Sequence, residues 1–206
     1  MCCGPCSIIP IKAMLGHGHG ASRPDVWGFF HNPNIHPFSE FKKRLDAAKR
    51  LAALLGVNVI FDEVYRPTAF IKGVKEAAKF SGKKGLPEKD GRCGYCYSSR
   101  LEETAKTALA NGFDGFSSSL LYSRYQNHDG IKAIGLTLSR KYGIPFFYAD
   151  YRGGWQAGID ASKEMGLYRQ KYCGCIYSKI ERYSKRLLKP AGCSKSPRHK
   201  ASRSEE

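Results

Sequence analysis

An α/β domain with a parallel sheet is the fold class predicted by this sequence of 206 residues. Three observations carry the prediction. Short apolar runs rich in Val, Ile and Phe alternate with stretches of helical spacing. Glycines stand where three of those helical stretches should stop. Strand, helix, strand, helix in succession is the order that right-handed parallel crossovers produce.

In chain order, "VWGFF" (26–30) reads as the first clear strand. Phe41, Leu45, Ala48, Ala52 and Leu55 recur at helical spacing, with Ser39 placed to cap that helix and Gly56 to end it. "VNVIF" (57–61) is the next strand, and residues 68–79 form a further helix. Residues 81–92, "SGKKGLPEKDGR", read as a polar, Gly-rich loop leading into Cys93. Leu101, Ala105 and Ala108 mark a helix ending near Gly112; Ile131, Ile134 and Leu138 mark another ending near Gly143. "FDGFSSS" (113–119) and "IPFFY" (144–148) complete the strands. From Ser184 the chain turns basic, Ser-rich and poor in apolar residues, so we expect one domain over 1–183 and a disordered basic tail over 184–206. No internal repeat is visible.

Net charge is +16. Seven Lys/Arg against two Glu from Lys185 onward supply five of those charges, which leaves eleven on the folded part. Such a surplus favours a polyanionic partner, most simply a nucleic acid. Pro10 and Lys12 interrupt the only candidate signal segment, and the longest apolar stretch, Leu51 to Phe61, is too short to span a bilayer. A cytoplasmic chain without a membrane partner is the expectation.

Eight cysteines in a reducing compartment point to metal or redox use rather than a disulfide framework. Seven fall in three tight groups: Cys2, Cys3 and Cys6; Cys93 and Cys96; Cys173 and Cys175. Scattered buried thiols acting as small hydrophobes would not group so. The C-x-x-C of Cys93 and Cys96 lacks the second C-x-x-C of a zinc ribbon. Cys2 and Cys3 are its plausible partners, and four thiolates from two distant sites suit a 4Fe–4S cluster. Cys6 is open to three readings: a further ligand, a ligand of a second metal, or a structural thiol. Gly174 between Cys173 and Cys175 gives the backbone freedom to close a small, easily reduced disulfide, although two more metal ligands is the other reading. Cys193 receives no role.

"CCGPCS", "FFHNPNIHP", "RCGYCYSSRLEETA", "SSSLLYSRYQ", "FFYADYR" and "LYRQKYCGC" occur in this order between Cys2 and about Ser178. Together they resemble the QueH type of epoxyqueuosine reductase. The resemblance implies a Rossmann-like sheet with flanking helices, similar to adenine-nucleotide hydrolases. It also implies a strand before the paired cysteines; Met1 abuts Cys2 here, so that strand is expected to be missing or contributed differently. The implied reaction completes queuosine synthesis by reducing epoxyqueuosine, at the tRNA wobble position, to queuosine. The implied cofactor is a 4Fe–4S cluster on Cys2, Cys3, Cys93 and Cys96, with a second iron or other metal near it. Cys173 and Cys175 are the implied redox-active pair.

Turning an epoxide into an alkene takes two electrons and two protons and releases water. No side chain supplies such electrons unaided, so a cofactor and a donor such as a ferredoxin or flavodoxin are needed. Asp150, Tyr151, His31 and His36 stand beside predicted strand ends as proton donors, with Asp150 the first choice. Tyr122, Arg124, Tyr125, Tyr151 and Arg152 combine rings and cations on adjacent loops, as RNA binding requires. A cluster-bearing tRNA thiolase would need an S-G-G-x-D-S type loop, which is absent. A metal-stabilised nucleic-acid-binding module would need no C-G-C, and a plain thiol–disulfide oxidoreductase would leave Cys2, Cys3, Cys93 and Cys96 idle.

Overall fold

The computed structural model describes residues 1–16, 24–79 and 89–187. The tail expected over 184–206 lies outside them from residue 188 onward, as do 81–88 of the expected loop. Helices dominate: α1 (Gly4–Gly16), α2 (Phe38–Leu55), α3 (Pro67–Lys79), α4 (Lys89–Ala110), α5 (His128–Tyr142), α6 (Trp155–Glu164) and α7 (Ile176–Leu187). Between them run β1 (Gly28–Phe30) and β2 (Val59–Phe61), with short 3-10 turns at Ser119–Tyr122 and Arg152–Gly154.

The chain is α/β and its pairings are parallel, as predicted. Gly28, Phe29 and Phe30 of β1 align with Val59, Ile60 and Phe61 of β2. The two later strand segments contribute less than expected. They meet in one parallel bridge, Phe116 with Phe146, through Phe116 N–H to Pro145 C=O (2.9 Å) and Phe147 N–H to Phe116 C=O (2.8 Å). Pro145 has no N–H to extend the ladder, and the chain turns into a 3-10 helix at Ser119, so the pairing stops there. Met1, rather than a paired strand, lies beside β1: Asn32 Nδ2 donates to its carbonyl (2.9 Å), and the Cys2 N–H donates to Ser119 Oγ (3.0 Å).

Three local expectations change. Ser39 does not cap α2: Pro37 holds the N-cap position in extended conformation, and its carbonyl accepts from the Glu40 and Phe41 amides. At the other end Gly56 adopts φ 62° and returns its N–H to Ala52, as expected of a C-cap glycine. α4 starts at Lys89, so the end of the expected loop and Cys93 itself are helical. α7 runs on to Leu187, past the boundary placed at 183.

Four apolar clusters position the site. The largest joins α4 and α5 to the Phe116–Phe146 bridge through Leu101, Ala105, Leu121, Ile131 and Leu138. Ile8, Ile11, Leu51, Val57 and Leu167 fasten α1 to α2. Phe30, Ile35, Phe41, Leu45 and Ala48 seat α2 on β1. Phe70, Val74, Cys96, Cys175 and Tyr177 form the fourth, so two cysteines 79 positions apart share one apolar cluster.

Candidate metal and redox site

Cys2 and Cys3 come immediately before the first turn of α1, and Cys6 lies within it. Exposed N–H groups at a helix start favour negative charge there. The three sulfurs lie within 4.8 Å of one another, and Cys2 Sγ is 3.8 Å from Cys3 Sγ. Thiolates bound tetrahedrally to one metal at about 2.3 Å stand about 3.8 Å apart, so this spacing fits a thiolate-held metal. Hydrogen bonds from Cys3 and Cys6 hold the Cys2 thiol well below the usual thiol range. Burial pushes Cys3 up to about 12, and the bonds to Cys2 and Cys3 push Cys6 up. Gln170 Nε2 adds a donor 3.1 Å from Cys6 Sγ.

Cys93, Cys96 and Arg100 occupy one face of α4, at spacings of three and four. Burial pushes the Cys96 thiol up to about 12, and Arg100 opposes that rise. Arg100 is itself buried, donates from Nη2 to Asn32 Oδ1 (2.8 Å), and has no hydrogen-bond partner on Nε. Its charge acts on Cys96, Cys2 and Cys173, cysteines of three separate segments. Cys93 and Cys96 lie outside the three-sulfur group, among the described residues.

The C-G-C segment leads into α7. Cys175 is buried, and Ser178 donates its backbone N–H to Cys175 Sγ (3.4 Å). Cys173 is exposed, with Gln126 Nε2 3.7 Å from its sulfur. Gln126 is held in turn by Tyr97, whose hydroxyl donates to Gln126 Oε1 (2.9 Å) and accepts from the Asn127 N–H (3.2 Å). A cavity of about 350 Å³ opens here, lined by Cys93, Tyr97, Arg124, Tyr125 and Gln126 among others. Its size suits a small ligand or an extruded nucleoside.

The loop residues read as RNA contacts divide by burial. Tyr125 is 76 % exposed, and its ring meets Trp155 edge-on at 5.7 Å. The Arg124 guanidinium lies 5.6 Å over Trp155. Tyr122 and Tyr151 are buried, and Tyr122 donates its hydroxyl to the Trp155 carbonyl (2.8 Å). Their rings therefore pack the core and offer no stacking face, which leaves Tyr125, with Trp155 behind it, as the exposed ring. Arg152 is committed to Asp150.

That commitment also removes the reason for choosing Asp150 as acid. Arg152 donates to both Asp150 oxygens, by Nε to Oδ1 at 2.8 Å and by Nη2 to Oδ2 at 2.6 Å, and holds the carboxyl far below the usual carboxylate range. An ionised carboxylate has no proton to give near neutrality. Asp150→Asn should lower turnover less than tenfold and leave the neutral-pH rate profile unchanged; a loss of a thousandfold would restore the acid role. His31 Nδ1 is 2.7 Å from Asp62 Oδ2 and His36 Nδ1 is 2.6 Å from the Tyr65 hydroxyl, so both nitrogens already have partners.

The residues that sequence reasoning missed are Glu40, Arg44, Tyr97, Arg100, Gln126 and Trp155. Two carried a signal. Arg44 sits on the apolar face of α2 beside Phe41, Leu45 and Ala48, where a charge needs a partner. Arg100 follows Cys96 by one helical turn.

A model of the epoxyqueuosine reductase QueH family matches residues 1–181. Epoxyqueuosine reductase QueH of Thermotoga maritima is 42 % identical over 163 residues, covering 78 % of this chain and 83 % of that protein. The protein of the same name from Dehalococcoides mccartyi is 35 % identical over 184 residues, covering 89 % and 92 %. That of Haemophilus influenzae is 35 % identical over 181 residues, covering 86 % and 69 %. With the cysteine groups in place and the match running nearly end to end, the chain belongs to the epoxyqueuosine reductase QueH family, an oxidoreductase family.

Proposed function

We propose that this chain reduces epoxyqueuosine at the tRNA wobble position to queuosine, using a 4Fe–4S cluster on Cys2, Cys3, Cys93 and Cys96 and the Cys173–Cys175 pair. One observation carries the reading: the charge of the buried Arg100 acts on cysteines of three distant segments, and Cys93, on the same face of its helix, borders a cavity. The Cys2, Cys3 and Cys6 trio supports thiolate ligation of a metal. A bound cluster supplies electrons singly at low potential.

The balance of the reaction sets what the residues must do. An epoxide that becomes an alkene takes up two electrons and two protons and releases its oxygen as water. Oxidation of the Cys173 and Cys175 thiols to one disulfide yields two electrons and two protons. A ferredoxin or flavodoxin, with two protons from solvent, then restores the thiols. Gln126, in the cavity wall, orients the Cys173 sulfur beside it, and Tyr97 holds Gln126. Tyr125 and Arg124 bind the anticodon loop by stacking and by phosphate attraction, within the basic field of the domain. The chain's place is the cytoplasm, where modified tRNA is available. No helix among the described residues is long and apolar enough to cross a membrane.

Purification without oxygen, iron and sulfide assay, and single turnover on tRNA carrying epoxyqueuosine test this reading. About four irons and four sulfides per chain, visible absorption that reductant bleaches, and formation of queuosine are expected. A colourless protein that holds one zinc and leaves the modified base unchanged would sink it in favour of a nucleic-acid-binding module.

A further inference from the structure

Arg44 is the largest fully buried side chain described, 1 % exposed, and it takes no part in the chemistry set out above. Its Nε donates to Glu40 Oε1 at 2.8 Å, one turn earlier on α2. The other two nitrogens reach across the molecule: Nη2 donates to the Tyr172 carbonyl and Nη1 to the Cys173 carbonyl, both at 2.9 Å. The His36 N–H donates to the next carbonyl, that of Gly174, at 2.9 Å. Three consecutive carbonyls of the C-G-C segment are therefore held by residues more than a hundred positions away. Glu40 is braced as well, since the Tyr168 hydroxyl donates to its Oε2 at 2.6 Å.

Gly174 has φ 124°, a conformation that L side chains rarely adopt, and a Cβ placed there would stand 2.9 Å from Arg44 Nη1. The glycine thus serves both its own backbone angle and the approach of the guanidinium. The held conformation keeps the two sulfurs on different partners, Cys173 with Gln126 and Cys175 with Ser178. Neither cysteine is disulfide-bonded. A disulfide needs Cβ atoms about 4 Å apart and a torsion near 90°, and so short a loop reaches that only by turning the peptide units between its cysteines. The carbonyls of both those units, Cys173 and Gly174, are the ones bonded by Arg44 and His36.

We propose that Arg44, braced by Glu40 and Tyr168, is a positioning residue that fastens the Cys173–Gly174–Cys175 loop in its dithiol conformation. The pair is thereby biased toward the reduced form, with Cys173 kept exposed beside Gln126, a residue of the cavity wall. The inference rests on the redox-pair reading of these two cysteines.

The test follows the thiol–disulfide equilibrium, where the dithiol plus glutathione disulfide gives the protein disulfide plus two glutathiones. The full chain, kept free of oxygen, is equilibrated across glutathione and dithiothreitol buffers, quenched with acid, alkylated and digested with trypsin. Lys171 and Lys179 bound a peptide, "YCGCIYSK", that contains Cys173 and Cys175 and no other cysteine, so this pair is read alone by mass. Arg44→Lys keeps the charge but loses the fork of donors. It should shift the equilibrium about tenfold toward the disulfide, which is 30 mV for two electrons. Tyr168→Phe removes only the brace on Glu40 and should shift it about threefold the same way. A variant that merely loosened the core would lower thermal stability without moving this constant; Leu51→Ala, remote from the loop, is that control. A pair that oxidises in the wild type with a constant unmoved by either variant overturns the role of Arg44 and leaves the redox pair standing. A pair that stays reduced in every variant overturns both. If Arg44→Lys does not fold, Tyr168→Phe decides alone.

Discussion

Arg100→Met is expected to weaken metal retention ten- to a hundredfold while leaving the metal-free protein as stable as before, or more so. Arg100 is a buried cation hydrogen-bonded to Asn32 and to the Cys96 thiol, with an unsatisfied Nε and no carboxylate ion pair among the described residues. Among neutral thiols such a charge is costly, and exchange of a buried charge for an apolar side chain of similar volume is often neutral or stabilising. The charge is repaid when the cysteines near it become thiolates, since its field reaches Cys2, Cys96 and Cys173. Groups just outside a metal's ligands commonly change affinity by that ten- to hundredfold. Iron content after a timed challenge with a chelator, set beside the melting temperature of the metal-free protein, measures both halves. Arg100→Lys should recover part of the retention. A variant that melts lower without metal yet keeps its iron would show that Arg100 serves packing instead.

Gly4→Ala should lower the melting temperature by about 4–8 °C, the equivalent of about 2 kcal/mol in a domain of this size, and reduce bound iron with it. A Cβ on Gly4 would stand 2.6 Å from the Ala47 carbonyl oxygen and 3.0 Å from its carbon. Both atoms are backbone of α2, so no side chain can rotate out of the way. α1 would have to move off α2, and it would carry Cys6, two residues after Gly4, away from Cys2 and Cys3. The glycine of "CCGPC" is therefore a packing requirement imposed by a second helix. Gly16→Ala is the matched control, because a Cβ there meets nothing within 4 Å. Equal effects at the two positions would refute this account.

Much of the fold and part of the site were legible in the sequence, for identifiable reasons. Helix α2 and its end at Gly56 follow from apolar spacing and from the cost of a left-handed conformation for other residues, both local properties. The capping of α2 was not legible, because Ser39 and Pro37 are both acceptable at a helix start and contacts beyond the helix choose between them. The later strands were over-read. "FDGFSSS" and "IPFFY" have the composition of buried strands, but the number of paired residues depends on neighbours that local composition does not contain. Cysteine grouping was legible from spacing alone, whereas the ion pair that Arg152, two residues on, makes by turning back onto Asp150 was not.

By itself, then, the sequence determined the α/β class, the family, and the grouping of the cysteines. These rest on periodicity, composition and motif order, which are properties of segments. Only the tertiary structure decided that Cys6 joins Cys2 and Cys3, that Tyr122 and Tyr151 belong to the core, and that Arg44 and Arg100 sit buried against cysteine-bearing segments. Those facts are distances and burials between parts of the chain up to 129 positions apart. A buried charge declares its purpose only through the partners that folding brings to it.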